Sequence, residues 1–161
     1  MSLDWRWLIW TAAGGSAALL LAAWGFQFLG GLAPCPMCIW QRWPHVVAAA
    51  LGPVAFVVGG AFVPVAGAVA AAASGAIGIY HTGVERAWWE GPASCTSGPV
   101  EGLSAAELMD QIMAAPLVQC DQVAWEMLGL SMASWNAVVS FGLAGVWALA
   151  ALRARRGAVA I

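Results

Sequence analysis

Four cysteines carry most of the chemistry open to this sequence. Cys35 and Cys38 are separated only by Pro36 and Met37, whereas Cys95 and Cys120 lie 25 positions apart. Three kinds of chemistry use such spacings. Structural cross-linking suits Cys95 and Cys120, because closing a loop of that size contributes about 3–4 kcal/mol in the chain-entropy account. It suits Cys35 and Cys38 poorly, since a two-residue gap restrains almost nothing. Zinc binding asks for a second close-spaced pair or for well-placed histidines. Neither His45 nor His81 looks so placed, and no metal is expected. Covalent haem attachment would need histidine after Cys38, where Ile39 stands. The third kind is redox exchange, since Cys-x-x-Cys holds two sulfurs close enough to trade partners.

The neighbours of Cys38 favour redox. Cys38 falls where the second helix should begin, and the partial positive charge of a helix start stabilises a thiolate. Arg42 is four residues on and would share its helical face. It is the only charged residue between positions 7 and 84. An ionisable side chain at the edge of an apolar segment is a functional candidate; the plainer reading is an arginine snorkelling to the interface. Pro44 either kinks this helix or delays its start. His81 can reach a ligand held near Arg42, although a lone histidine at a helix end is more often an interfacial polar group. His45 is given no role. Trp40, Trp43, Trp88 and Trp89 read as an aromatic belt.

The elements that position these residues follow from composition. Of the 161 residues 62% are hydrophobic and 9% charged, against about 25% charged in an ordinary soluble domain. A net charge of −2 leaves no basic footprint for nucleic acid. Charge is absent from Trp7 to Gln41, from Trp43 to Val84 and from Met127 to Leu152. A spanning helix needs about 20 apolar residues. The outer tracts each hold one span and the middle tract holds two, turning near Gly59-Gly60 and Pro64. The predicted spans are 8–30, 44–60, 63–82 and 134–152. The first is too long for the apolar region of a signal peptide, about 7–15 residues. The expected fold is therefore an all-α membrane protein, a bundle of four transmembrane helices in one domain covering 1–161.

Arg6 precedes the first span, and Arg153, Arg155 and Arg156 follow the last. Positive flanks stay cytoplasmic, so both termini are expected inside. The loops 31–43 and 83–133, with all four cysteines, then face the oxidising side, where disulfides persist. Gly67, Ala71 and Gly75 repeat at every fourth position, a stripe for close helix packing. In the second loop Ser104 and Glu107 form a capping box with Leu103 and Leu108 as its staple. Leu108, Met109, Ile112 and Met113 make one apolar stripe, ended by Pro116, as in a short amphipathic helix lying on a membrane.

Three segments together resemble one family. Cys35-Pro-Met-Cys38-Ile-Trp-Gln-Arg42-Trp-Pro-His45 is similar to the signature of the DsbB disulfide-forming membrane proteins. Tyr80-His81-Thr-Gly-Val-Glu85 and Trp89-Glu-Gly-Pro-Ala-Ser-Cys95 resemble the approach to that family's third cysteine. Val118-Gln-Cys120-Asp and Gly129-Leu-Ser-Met-Ala-Ser-Trp135-Asn136 resemble its entry into the last span. The resemblance implies a location in the bacterial inner membrane, with the two loops periplasmic. It implies an enzyme, a protein-dithiol:quinone oxidoreductase, and an electron path. A reduced DsbA-like partner of thioredoxin fold attacks a Cys95–Cys120 disulfide at Cys95. Cys120 then attacks Cys35, and Cys38 is freed beside a quinone, ubiquinone or menaquinone, in a site that includes Arg42 and His81. That route is the established one by which the bacterial periplasm is kept oxidising. It also needs a strong acceptor. A DsbA-like protein sits near about −120 mV and structural disulfides below about −300 mV, a transfer roughly 8 kcal/mol uphill without one.

Overall fold

The structure, a computed structural model, describes residues 4–95, 102–114 and 118–159. Helix α1 (Trp5–Phe28) is opened by Asp4, whose side chain accepts the Arg6 N–H at 3.3 Å. Helix α2 (Pro36–Val58) has Pro36 at its first turn, where the missing N–H is no loss, and Cys35 as its N-cap. It runs unbroken through Pro44 and Pro53. The helix thus begins close to Cys38, as the chemistry of that residue suggested, and not at 44, the lower bound of the predicted span, and the first loop ends at Cys35 rather than at 43. Gly59 and Gly60 both take positive φ, a conformation glycine adopts without a Cβ clash, and they turn the chain into α3 (Phe62–Glu85).

Helix α4 (Ala105–Ala114) follows in the second loop. Its capping box forms as expected: the Glu107 carboxylate accepts from the Ser104 N–H at 2.8 Å and hydroxyl at 2.6 Å. Those bonds hold the Glu107 carboxyl below the usual carboxylate range. Met109, Ile112 and Met113 are exposed, the arrangement of a helix whose apolar face meets something other than its own chain. Pro116 lies outside the described residues, as does the side chain of Arg156. The chain then forms a hairpin that the sequence reading did not anticipate. Strands β1 (Glu126–Met127) and β2 (Leu130–Ser131) pair antiparallel. Leu128 and Gly129 both have positive φ, as a tight two-residue hairpin turn requires. Arg86 donates to the Gly129 carbonyl at 3.0 Å and Trp135 Nε1 to the Met127 carbonyl at 3.1 Å, tying the hairpin to α3 and to the start of α5 (Met132–Val159).

The four long helices pack in the cyclic order α1, α2, α3, α5, with little contact across the diagonals. Small residues face inward: Ala12, Ala13, Ala48, Ala55, Ala71 and Ala150 are buried. Large apolar residues face outward, among them Leu21, Val57, Phe62, Val69 and Val138. In water this distribution would be inverted, because contiguous apolar surface is rare on soluble monomers. In lipid it is the expected one, since association rests on close backbone approach. Helices α1, α3 and α5 are long and apolar enough to cross a membrane. Helix α2 is equally long, but Gln41, Arg42 and His45 make it more polar.

The stripe on α3 packs against α5. A Cβ placed on Gly67 would lie 2.6 Å from the ring of Trp147, which is fully buried, and one on Gly78 would lie 3.0 Å from the Ala133 carbonyl. Gly67→Ala is therefore expected to destabilise the bundle by about 1–3 kcal/mol through overpacking. Gly14→Ala, where no atom lies within 4 Å, should be neutral or should stabilise by about 0.5–1 kcal/mol. Equilibrium unfolding in mixed micelles measures both; equal effects would show that the α3–α5 contact does not depend on Gly67.

Candidate functional site

The first turn of α2 places Cys35 and Cys38 together. Cys35 caps the helix, its sulfur accepting the Cys38 N–H at 3.2 Å, and the two sulfurs lie 3.0 Å apart. Both are free thiols, Cys35 buried and Cys38 partly exposed. Cys95 and Cys120 form a disulfide. The fold brings the two pairs into one buried cluster with Met37 and Val84. Sequence separation hides this, since Cys95 and Cys120 come from the loop after α3 and Cys35 from the loop before α2.

His81, near the C-terminal end of α3, completes the group. It is 3% exposed, and its Nε2 lies 3.6 Å from Cys35 Sγ. His81 lines the same cavity as Arg42, its contact with Cys35 was not foreseen, and the interfacial reading fails because the ring is buried. Its zinc reading also changes. The donor atoms of Cys35, Cys38 and His81 lie within 4.8 Å of one another, so His81 is not poorly placed. One turn further along α3, Glu85 has Oε1 3.9 Å from His81 Nε2, and its side chain is 5% exposed. Its other oxygen accepts a short hydrogen bond from Ser131 Oγ, which links the hairpin to the site.

The negative charge of the reduced Cys35–Cys38 pair belongs on Cys35. The Cys38 thiol in contact with it is the largest influence holding the Cys35 thiol well below its ordinary range. Burial opposes this, the hydrogen bond from His81 adds to it, and the lowering influences prevail. The sequence places the start of the helix at Cys38, whereas the structure places its cap at Cys35. The reason is local: with Pro36 as the first helical residue, the cap position, and with it the first free N–H groups, falls to Cys35.

Beside the cysteines lies a cavity of about 500 Å³, within the range of small-molecule sites. Its apolar wall includes Leu19, Leu20, Ala23 and Phe26 of α1 and Val139 of α5; its polar groups include Cys35, Cys38, Gln41, Arg42, His45, His81, Glu85 and Asn136, with Gln119 and Gln122 from the second loop. Arg42 reaches α1, donating to Gln27 Oε1 at 2.7 Å. Among the described residues no carboxylate pairs with it, which leaves guanidinium donors for a ligand oxygen. His45, given no role from sequence, lines the same cavity and bonds Asn136 Oδ1 at 3.1 Å and Ser140 Oγ at 3.0 Å.

Sequence reading gave no role to Gln41, Ser74, Glu85, Ser131 or Asn136. A signal existed: polar side chains inside or at the ends of apolar helices are rare and mark functional paths. Their mutual contact depends on helix rotation, which the sequence alone does not supply.

With this geometry in hand, comparison with known proteins gives a consistent result. The family described as disulfide bond formation protein DsbB matches residues 5–150. A disulfide bond formation protein B of Xanthomonas oryzae pv. oryzae is 35% identical over 157 residues, covering 89% of this chain and 88% of its own. One from an Azoarcus species is 33% identical over 150 residues, covering 87% of each. An uncharacterized protein of Rickettsia prowazekii is 24% identical over 132 residues, covering 80% of this chain and 77% of its own. No solved structure matches.

The charge assignment is measurable. In fully reduced protein, alkylation at Cys35, read site by site by mass spectrometry, should persist at pH values where an ordinary thiol, with a pKa near about 8.5, no longer reacts. A lowered thiol pKa keeps the reactive thiolate present as the pH falls, and it is lost only below that lowered value. His81→Phe should move the Cys35 profile to higher pH. An ordinary profile for Cys35 in the unsubstituted protein would refute the assignment.

Proposed function

The chain belongs to the DsbB family of disulfide bond formation proteins and is a multi-pass membrane protein, and on that premise we propose that it is a thiol oxidase that reoxidises a periplasmic DsbA-like protein and delivers the electrons to a membrane quinone. The observation that carries this reading is the shared cluster: both cysteine pairs meet beside one cavity. A quinone bound there would take up two electrons and two protons per disulfide made.

The residues divide the work. Cys95 receives the partner's thiolate, and the Cys95–Cys120 bond breaks as a mixed disulfide forms. Cys120, released as a thiolate, attacks the oxidised Cys35–Cys38 pair at Cys35, and Cys38 leaves with the charge. The partner's second thiol then closes its own disulfide and frees Cys95, which attacks the Cys35–Cys120 bond at Cys120 and releases Cys35; the reduced Cys35–Cys38 pair gives two electrons and two protons to a quinone and closes again. The net change converts one partner dithiol and one quinone into one disulfide and one quinol. Cys38 and Arg42 both line the cavity, so the departing sulfur and a fixed positive charge face the same space. Arg42 holds a quinone oxygen by a charge-assisted bond, and His81 lines the same space. The apolar wall on α1 accepts the ring and the start of its tail. Nothing in that wall distinguishes ubiquinone from menaquinone. The periplasmic side of the inner membrane is assigned to the cysteines by the arginine distribution, with both termini cytoplasmic, and α2 is assigned as the fourth span.

Purified protein should oxidise a reduced DsbA-like substrate when ubiquinone or menaquinone is supplied, with one quinol formed per disulfide. Alanine at Cys35, Cys38, Cys95 or Cys120 should abolish turnover. Arg42→Ala should raise the apparent KM for quinone about tenfold or more, the loss expected for one hydrogen bond to a charged group. Absence of turnover with both quinones and several DsbA-like partners would favour a scaffold with structural disulfides.

A further inference from the structure

Two backbone carbonyls settle how the buried polar chain beside the cysteines is protonated. A carbonyl only accepts, so any amide group bonded to one must present its nitrogen. Asn136 of α5 lies against the Ser74 carbonyl at 3.4 Å, and the group facing it is Nδ2. The same nitrogen donates to Gln41 Oε1 at 2.8 Å, while Asn136 Oδ1 accepts from His45 Nε2. Gln41 of α2 lies against the Met37 carbonyl at 3.1 Å through its Nε2. Its two amide groups are therefore assigned independently: nitrogen to Met37, oxygen to Asn136. The second hydrogen on Gln41 Nε2 points at His81 Nδ1, 2.9 Å away. That ring nitrogen must act as an acceptor, so in neutral His81 the hydrogen is on Nε2, which faces Cys35 Sγ at 3.6 Å and Glu85 Oε1 at 3.9 Å.

We propose that Gln41, anchored by Asn136, is a positioning residue that fixes His81 in its Nε2–H form, so that the ring donates to Cys35 and keeps the charge of the reduced pair on that sulfur. The inference rests on the redox reading of Cys35 and Cys38 and adds what orders their charge. It also decides how the donor triangle of Cys35, Cys38 and His81 is used. A metal on Nε2 would require hydrogen on Nδ1 with an acceptor opposite it, but Nδ1 faces an N–H. The triangle is thus arranged for hydrogen bonding to a thiolate rather than for coordination.

The device has a function in the cycle. While both sulfurs are reduced, the charge waits on Cys35, the buried member of the pair, and Cys38 holds the proton. When Cys120 opens the Cys35–Cys38 disulfide at Cys35, there is no thiolate at Cys35 for His81 to hold, and Cys38, which lines the cavity, leaves with the electron pair of the broken bond. The ionisable groups facing Cys35 are Cys38 from α2 and His81 and Glu85 from α3. The second loop contributes Cys120, held in a disulfide, and the uncharged Ser131 of β2, and α5 contributes the uncharged Ser134 and Asn136. A change in the Cys35 profile on altering Gln41 must therefore pass through His81.

The test needs neither quinone nor partner, so it stands or falls separately from the proposed oxidase activity. The sequence contains two histidines, so nitrogen-15 histidine labelling of the reduced protein gives two resolvable imidazoles, assigned by His45→Phe. Nδ1 of His81 should resonate as an unprotonated nitrogen and Nε2 as a protonated one. Gln41→Leu should give a mixture of the two forms and lower the Cys35 alkylation rate at acidic pH about tenfold, the loss expected when one hydrogen bond to a charged group is weakened. Asn136→Leu, which leaves Gln41 unanchored, should move both readouts in the same direction. A hydrogen found on Nδ1 of the unsubstituted protein overturns the proposal without recourse to any variant. So does a Gln41→Leu protein that folds and keeps both the Nε2–H form and the unchanged Cys35 profile. Turnover failure alongside the expected nitrogen spectrum would instead count against the oxidase reading alone.

Discussion

Inside an apolar bundle every polar group must find its partner within the chain, because lipid offers none and an unsatisfied group costs several kcal/mol. The chain from His45 through Asn136 and Gln41 to His81 is the fullest expression of that constraint here. Each link spans two helices: His45 and Gln41 come from α2, Asn136 from α5, His81 from α3. Helices α2, α3 and α5 are consequently fixed in rotation as well as in distance. Small residues set how near α3 and α5 approach, with Gly67 seated on Trp147 and Gly75 on Phe141. The amide chain sets which faces meet. A rotation of α2 that moved Gln41 away would leave His81 Nδ1 without its donor and Asn136 without its bonds to α2, in a region where water cannot replace them.

The same constraint explains why the reactive cysteines sit at one end of the bundle. A thiolate deep in lipid would lack donors, whereas the start of α2 supplies free N–H groups and the end of α3 supplies His81. Cys35 uses both. The hairpin and the disulfide-bearing loop close over this end: Ser131 satisfies Glu85, Arg86 holds the hairpin carbonyl, and Cys120 joins Cys35 in the buried cluster. A rigid floor with a loop-borne disulfide above it fits a protein that must accept a thiol from outside and pass electrons inward.

Much of this was legible in the residues. The long uncharged tracts located the helices, the Gly59-Gly60 pair located the turn, and Ser104 with Glu107 located the start of α4, because each signal is local. The start of α2 was placed near Cys38, but the predicted span began only at 44 because Pro44 could kink or delay the helix; Pro36 and the Cys35 cap satisfy the rules for the earlier start. The hairpin at Leu128-Gly129 was missed because its strands are too short to show alternation. The site was half legible. Cys35, Cys38, Arg42 and His81 stood out by type against an apolar background, whereas Gln41, Glu85 and Asn136 gained meaning only through partners 40, 46 and 95 positions away. The assignment of charge within the cysteine pair was legible only in part: its largest influence is the Cys35–Cys38 contact at the helix cap, but His81 adds to it through a contact no spacing reveals.

The account stands on one spatial claim, that the electron acceptor binds in the cavity against Cys38. Replacing Cys35 with serine leaves Cys38 without its disulfide partner, with Arg42 on the same cavity wall. Anaerobic addition of quinone to this variant should produce a charge-transfer absorption in the visible range, as expected of a thiolate stacked on a quinone. The band should weaken with Arg42→Ala and survive in part with Arg42→Lys, which keeps a charge but not the planar donor fork. A Cys35→Ser protein that binds quinone with no such band, or a band that persists when Cys38 is also replaced, would place the acceptor elsewhere and contradict the account.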